Sequence, residues 1–358
     1  MARHLKQSPQ PLAVCVGGGT GQPQVLRALR GRGWDLAAVV AMADDGGSSG
    51  IIRRAMDAVP PGDVRNCLVA LAEDPDSPLA RSLQRRLPIA ANHPLGNLLL
   101  ATLAVEEGSF LDAVRVLEHV LGCIGHVHPS TTENVTLQGI TRDGRSISGE
   151  EMIGHGPCTL ARVWLEPGQP EACADAVNAI RSADLVILGP GSLFTSIIPN
   201  ILVPGIARAI RETSATRIFI CPKADTQYES WGLAADEYIT ALFDHGLEGC
   251  IDAVLVHREE QQGGTGTLMF RALTQADIAA DSARRAFMAT RGFPRSEDVL
   301  PRIHPVRADN EVLSRIRRLV PRVEVRDFTL EGAPTAHDPV KLASAIEGVS
   351  GWHRSQQR

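Results

Sequence analysis

The sequence predicts a doubly wound α/β fold, a mainly parallel sheet with helices on both faces, and three observations carry that reading. Short β-rich apolar runs alternate with helical patterns, the order expected of β-α-β units. The runs "LAVCV" and "DLVIL" are continuously apolar rather than alternating, as strands buried on both faces must be. Turns rich in glycine and hydroxyl side chains follow these two runs, at the strand ends where such sheets hold ligands.

In chain order, "LAVCVG" is a strand feeding the helical "QVLRALRG", and "LAAVVAM" is a strand running into a polar loop. Later, "ADLVILG" precedes "VPGIARAIRE", "RIFIC" precedes "ADEYITALFDHG", and "IDAVLVH" is a last buried strand. Between residues 133 and 166, "NVTLQGITRDGRSISGEEMI" alternates apolar and polar residues around the turn "RDGR", which predicts a small antiparallel hairpin beside the main sheet. Residues 258–300 break the rhythm and are read as an inserted loop and helix, either a lid or a surface excursion. The expected architecture is one Rossmann-like α/β domain over residues 10–347, with residues 348–358 a frayed tail.

The chain has 358 residues, 44% hydrophobic and 22% charged, so a sizeable core is affordable. With 36 basic against 41 acidic residues the net charge is −5, which disfavours nucleic acid as the main partner because phosphate binding of that kind needs a basic face. The basic stretch "RRLVPRVEVR" reads as a solvated helix-and-strand surface. Seven cysteines stand singly, with no CxxC pair, which argues for a reducing compartment and against a disulfide frame or zinc site. The apolar stretch after the basic N-terminus is too short for a signal segment, and no apolar run approaches the ~20 residues of a membrane helix. A soluble, cytoplasmic protein without a membrane partner is expected; homo-oligomerisation is left open.

Five polar loops follow predicted strands or open predicted helices. In "VGGGTGQPQVL", Gly17, Gly18, Gly19, Thr20 and Gly21 let backbone approach an anion at a helix N-terminus. A dinucleotide fingerprint would put its third glycine at Gln22, and no GK[ST] follows, so neither that motif nor a Walker A loop is present. In "AMADDGGSSG", Asp44 and Asp45 stand before Gly46, Gly47, Ser48 and Ser49. Adjacent carboxylates repel, so Mg²⁺ shared with ligand phosphates, or ribose hydroxyls, would offset them, while either serine caps the next helix; the alternative is an acidic surface turn. In "PPGDVRN", Asp63 is a candidate helix cap, with Arg65 and Asn66 in the first turn, where Arg65 meets either an anion or a structural carboxylate. Asn97, in "HPLGN", offers donor and acceptor at a helix head, and His93 reads as a packing histidine. In "ADLVILGPGSLFTSI", Gly189, Gly191, Ser192, Thr195 and Ser196 form an anion cradle without a lysine. No GxSxG elbow or HExxH spacing occurs, and His126 with His128 allows only a weak metal pair.

Taken together, "GGGTG", "ADDGGSSG", "PPGDVRNCLVALA", "LGN", "ADLVILGPGSLFTSIIPNILVPGI" and the late "HDPVKLASAI", in this order over residues 13 to about 347, resemble the gluconeogenesis factor (YvcK-type) family, within the superfamily of 2-phospho-L-lactate transferase (CofD-like) proteins. The GGSSG and PPGDVRN stretches resemble the gluconeogenesis factor branch. The resemblance implies a nucleotide-sugar-binding regulator linked to cell shape and gluconeogenic growth, with UDP-N-acetylglucosamine as the ligand class and no established turnover. A Mg²⁺-dependent transferase using Asp44, Asp45 and Asp63 is the alternative; a dinucleotide oxidoreductase is a weaker third. The family's nucleotide-contacting tyrosine after "VLVH" and its arginine before the late histidine have no counterpart, since the two tyrosines, Tyr228 and Tyr238, lie earlier and Ala336 precedes His337. Where the family reads "MTQPGET" and "ASDH", Asp225, Thr226, Gln227, Glu229 and Asp236 are partial polar matches.

Overall fold

The computed structural model describes residues 10–56, 58–154, 159–225, 228–259, 304–333 and 335–351. Among the described residues ten strands are three or more residues long: β1 (Leu12–Gly17), β2 (Asp35–Val40), β3 (Gly125–Pro129), β4 (Thr136–Thr141), β5 (Ser146–Ser148), β6 (Leu160–Glu166), β7 (Leu185–Leu188), β8 (Thr216–Ile220), β9 (Ala253–His257) and β10 (Arg322–Arg326). Seven of them form one sheet in the order β10-β9-β8-β7-β1-β2-β3, every neighbouring pair parallel. The predicted doubly wound α/β architecture is therefore the observed one.

The continuous apolarity of the central strands has the cause the sequence suggested. In β1, Val14 and Val16 face one core while Ala13 and Cys15 face the other; in β7, Val186 and Leu188 oppose Leu185 and Ile187 in the same way. Helices Gly21–Leu29, Gly62–Leu71 and Pro339–Ser350 cover one face, and Ala174–Ser182, Pro204–Glu212, Ala235–Leu242 and Asn310–Leu319 cover the other. Apolar side chains buried on both sides supply the main driving force at about 25 cal/mol per Å² removed from water.

One sheet member, β3, was not among the expected strands, and β10 was expected only as part of a solvated helix-and-strand surface. "GHVHP" carries two histidines and β10 reads "RVEVR", each half-exposed in part because it lies at a sheet edge where apolar runs are not required. The stretch "RRLVPRVEVR" is indeed a helix end and a strand, Asn310–Leu319 leading into β10.

The expected hairpin is present as β4 and β5, joined through Asp143 and Gly144, the latter at φ +86°. A third strand, β6, pairs antiparallel with β4 to make a small separate sheet. Its apolar side chains Leu137, Ile147 and Val163 enter the core shared with β1 and β7. Arg53 anchors this sheet by donating to Asn134 Oδ1 and to the Val135 carbonyl, and also to the carbonyls of Ala43 and Asp44 in the loop after β2.

The last helix runs to Ser350 and is closed by Gly351 at φ +72°. Residues 260–300 of the expected insertion and residues 352–358 of the expected tail lie outside the described residues. Among the described residues no single helix is long and apolar enough to cross a membrane, and the described cysteines are unpaired thiols.

Gln22, where a dinucleotide fingerprint would need glycine, is completely buried. Its Nε2 donates to the Cys15 carbonyl at 2.8 Å and the Val39 carbonyl at 2.9 Å, joining β1 to β2 just before both strands end. Replacing it with leucine keeps the volume and removes both bonds, so an expected loss of about 2 kcal/mol should appear in urea unfolding. An unchanged midpoint would discard the bracing role.

Candidate functional site

The chain passes from β1 to β2 and β3 on one side of the sheet, then returns to place β7 on the other side of β1. That reversal opens a crevice at the carboxyl ends of β1 and β7, the position where open α/β sheets hold ligands. A cavity of about 340 Å³ lies there, within the range of small-molecule sites. The glycine turn after β1 supplies Gly19, Thr20 and Gly21; the loop after β7 supplies Pro190, Gly191, Ser192, Thr195 and Ser196; the loop after β2 and the helix Gly62–Leu71 supply Asp44 and Asp63. Segments separated by some 170 residues thus face one space.

The two turns touch so closely that side chains are excluded between them. A Cβ on Gly21 would lie 2.0 Å from the Pro190 carbonyl oxygen, and Gly19 sits at φ +63°. Asn200, fully buried beneath them, donates from Nδ2 to the carbonyls of Gly17 and Ser196, both at 2.9 Å. Gly189, at φ +79°, turns the chain out of β7.

Not every residue singled out in the sequence faces this cavity. Asp45 points to the small sheet's tail, where its Oδ1 accepts the Glu151 N–H at 2.9 Å and caps the short helix Glu150–Gly154. Asp63 is not a cap: helix Gly62–Leu71 begins one residue earlier, and the Asp63 carboxylate instead accepts the Gly19 N–H at 2.6 Å. The helix after Asp45 starts at Gly47, so Ser48 and Ser49 lie inside its first turn. Ser48 Oγ bonds His93 Nδ1 at 2.6 Å and accepts from Asn97 Nδ2 at 3.0 Å; Asn97 Oδ1 in turn accepts from Arg65, which also donates to Asn66 Oδ1. Arg65, Asn66, Asn97 and Ser48 therefore form a polar network that bonds the buried His93 through Ser48, and none of these five lines the cavity. Ser49 bonds Asp44, and the N–H of Gly46 donates to Asp44 Oδ1 at 3.0 Å, which fixes the one carboxylate of the pair that does line the cavity.

Further lining residues are not among the candidate ligand residues, although Glu229 is one of the partial polar matches and His337 lies in the late motif. Glu150 arrives from the small sheet, Glu229 and Tyr238 follow β8, and His337 comes from the late "HDPVK" segment. Glu229 Oε1 accepts the Phe194 N–H at 3.2 Å, and Tyr238 donates its hydroxyl to Ser230 Oγ at 2.9 Å. His337 is held at the wall because Lys223 donates to the carbonyls of Ala336, its chain neighbour, and of Phe328, whose ring packs 5.5 Å from the His337 ring.

The electrostatics are those of crowded carboxylates. Asp44, Asp63, Glu150 and Glu229 line the cavity, and no lysine or arginine does among the described residues. Enclosure by protein raises Asp63 to about 6, with the Asp44 charge adding to it and the Gly19 N–H opposing it. Burial also raises Asp44, opposed by its bonds from Ser49 and Gly46. Glu150 is pushed well above the usual carboxylate range, first by burial and then by Asp44, Asp45, Asp63 and Glu229. Among the described residues no three His, Cys, Asp or Glu side chains are arranged to hold a metal ion, and Asp44 and Asp45 point to different places, so a Mg²⁺ chelated by both does not fit this arrangement.

Known proteins share this chain's sequence and shape. The family model described as 2-phospho-L-lactate transferase CofD matches residues 13–286. This chain belongs to the CofD family. Within it, a gluconeogenesis factor of Halalkalibacterium halodurans is 40% identical over 250 residues, covering 69% of this chain and 77% of that one. A Deinococcus radiodurans relative is 43% identical over 237 residues, 65% of this chain and half of its own length. A solved structure from Bacillus halodurans, described as a member of the UPF0052 family, superposes with a TM-score of 0.78 at 32% identity, covering 95% of this chain and 99% of its own. The family resemblance is thereby matched in both sequence and fold.

Proposed function

We propose that the cavity binds a nucleoside diphosphate-sugar and that the protein is a cytosolic regulator of the gluconeogenesis factor type, tied to cell morphogenesis and carbon metabolism. The observation that carries this reading is the meeting of the glycine turn and the serine loop at the sheet's reversal point, where backbone N–H groups and hydroxyls face one space. In this reading the diphosphate rests on Thr20, Gly21, Ser192 and Ser196, and the carboxyl groups of Asp44 and Glu150 hydrogen-bond hydroxyls of ribose or sugar, which a carboxyl oxygen can accept from in either protonation state.

A transferase reading is favoured by one observation, the Asp63 carboxyl near 6 beside the glycine turn. Such a group can take the proton of an acceptor hydroxyl near neutral pH. The acceptor oxygen would bond to phosphorus as the bond from phosphorus to the leaving nucleotide oxygen breaks, with the nucleotide leaving as its phosphate.

Thermal melting with UDP-sugars, GDP, NAD and their Mg²⁺ forms separates the readings. A ligand at a hundred times its Kd stabilises the native state by about 2.7 kcal/mol, so the matching nucleotide-sugar is expected to raise Tm by several degrees. Flat melting curves across the panel at millimolar ligand would remove the nucleotide site. Release of mononucleotide on adding hydroxyl acceptors would favour transfer over simple binding.

A further inference from the structure

We propose that Glu229 is a specificity-determining residue of this site: it holds the backbone anion seat of the serine loop and so selects ligands that end in hydrogen-bond donors over ligands that end in another phosphate. The inference rests on the nucleotide-sugar reading above and adds which side chain selects that class.

The loop after β7 leads into a continuous helical segment, Leu193–Ile201, whose early residues Leu193, Thr195 and Ser196 line the cavity. Unpaired N–H groups at such a start attract anions. Here one of them already has a carboxyl partner from the protein itself, since Phe194 donates to Glu229 Oε1 at 3.2 Å and Glu229 is 1% exposed. The glycine turn repeats the device: Gly19 donates to Asp63 Oδ2 at 2.6 Å. Each cradle thus keeps a carboxylate on a backbone N–H, and Glu150 stands in the same cavity with its charge disfavoured by both.

The two cradles are not equivalent. Asp63, raised to about 6, adjoins the turn leading into the helix Gly21–Leu29, with Thr20 beside it to offer its hydroxyl to a diphosphate. At the serine loop, Glu229 and Glu150 form the wall together. A terminal phosphate placed there finds the Phe194 N–H already taken and, beside the Glu229 and Glu150 carboxyl groups, no lysine or arginine among the described lining residues to offset its charge in an enclosed space. A sugar placed there offers hydroxyls, which donate to those same carboxylates. The side chain that looks at first like an obstacle to phosphate is therefore the feature that rewards a neutral, hydroxyl-rich end.

The test is calorimetric titration of the full chain with matched pairs, UDP-glucose against UTP and GDP-mannose against GTP, for the native protein, Glu229→Gln and Glu229→Asp. Native protein is expected to prefer the nucleotide-sugar of its base. Glu229→Gln, which keeps length and an acceptor for Phe194, is expected to tighten triphosphate binding by about tenfold and weaken the sugar, and Glu229→Asp, which keeps the charge, to retain the sugar preference. Native protein that binds triphosphate more tightly than nucleotide-sugar overturns the proposal without any variant, and so does a Gln variant with an unchanged ratio and native melting. Absence of binding by every nucleotide removes the nucleotide reading itself, an outcome distinct from binding with an unaltered ratio.

Discussion

Gly21→Ala is expected to cost about 3 kcal/mol of stability and to remove ligand-induced stabilisation altogether. The added methyl would lie 2.0 Å from the Pro190 carbonyl oxygen and 2.7 Å from its carbon, both backbone atoms of a loop that cannot rotate out of the way. Either the helix Gly21–Leu29 shifts or the loop after β7 retreats, and in both cases the two walls of the cavity separate. Gly168→Ala is the control, because its methyl would meet only the Leu165 carbonyl at 3.7 Å, an ordinary contact. Guanidinium unfolding of the two variants side by side measures the effect; equal midpoints would mean that the turns are not in the contact described.

Asp63→Asn is expected to make the unliganded protein more stable at pH 8, by an amount on the order of 2 kcal/mol once contact with the cavity's solvent is discounted. An unfolded aspartate titrates near 3.8, whereas Asp63 in the folded chain is raised to about 6, chiefly by burial and then by the charge of Asp44. The folded state thus binds this proton more tightly than the unfolded state does. Its contribution to stability is fully present below about pH 4 and is lost as pH rises through about 6. Asparagine remains neutral throughout and can still accept the Gly19 N–H. The difference between variant and native protein should therefore be small at pH 3.5 and large at pH 8, read from unfolding curves at both. A pH-independent difference would assign the gain to something other than the buried charge. Loss of ligand response in the same variant would identify Asp63 as a group whose charge is retained at a stability cost.

Much of this arrangement is legible in the residues alone, and for a physical reason. Strands such as "LAVCV" and "DLVIL" must be apolar on both faces, so they stand out, and the turns behind them inherit a position at the sheet's carboxyl edge. The edge strands β3 and β10 escape the same reading because one side of each meets solvent and their histidines and arginines satisfy it. In the site, motif position indicates neighbourhood but not side-chain direction. Asp44 and Asp45 are adjacent, yet one faces the cavity and the other caps Glu150–Gly154, because successive side chains in an extended loop diverge. Arg65, Asn97 and Ser48 come from three motifs and do meet, but with each other. Glu150 and Glu229 follow no large strand-end motif, and only the packing of the small sheet and the segment after β8 brings them in.

The cavity wall begins at Gly19 and is completed by His337, a residue fastened in place by Lys223. During synthesis the glycine turn leaves the ribosome long before that last stretch exists. A nascent chain can hence assemble most of its sheet while still lacking one side of its pocket, so any ligand that stabilises the finished protein has no complete seat to offer its partly made precursor. Newly made and mature copies should differ in this respect even at equal ligand supply, with the benefit of binding confined to chains that have been translated nearly to the end.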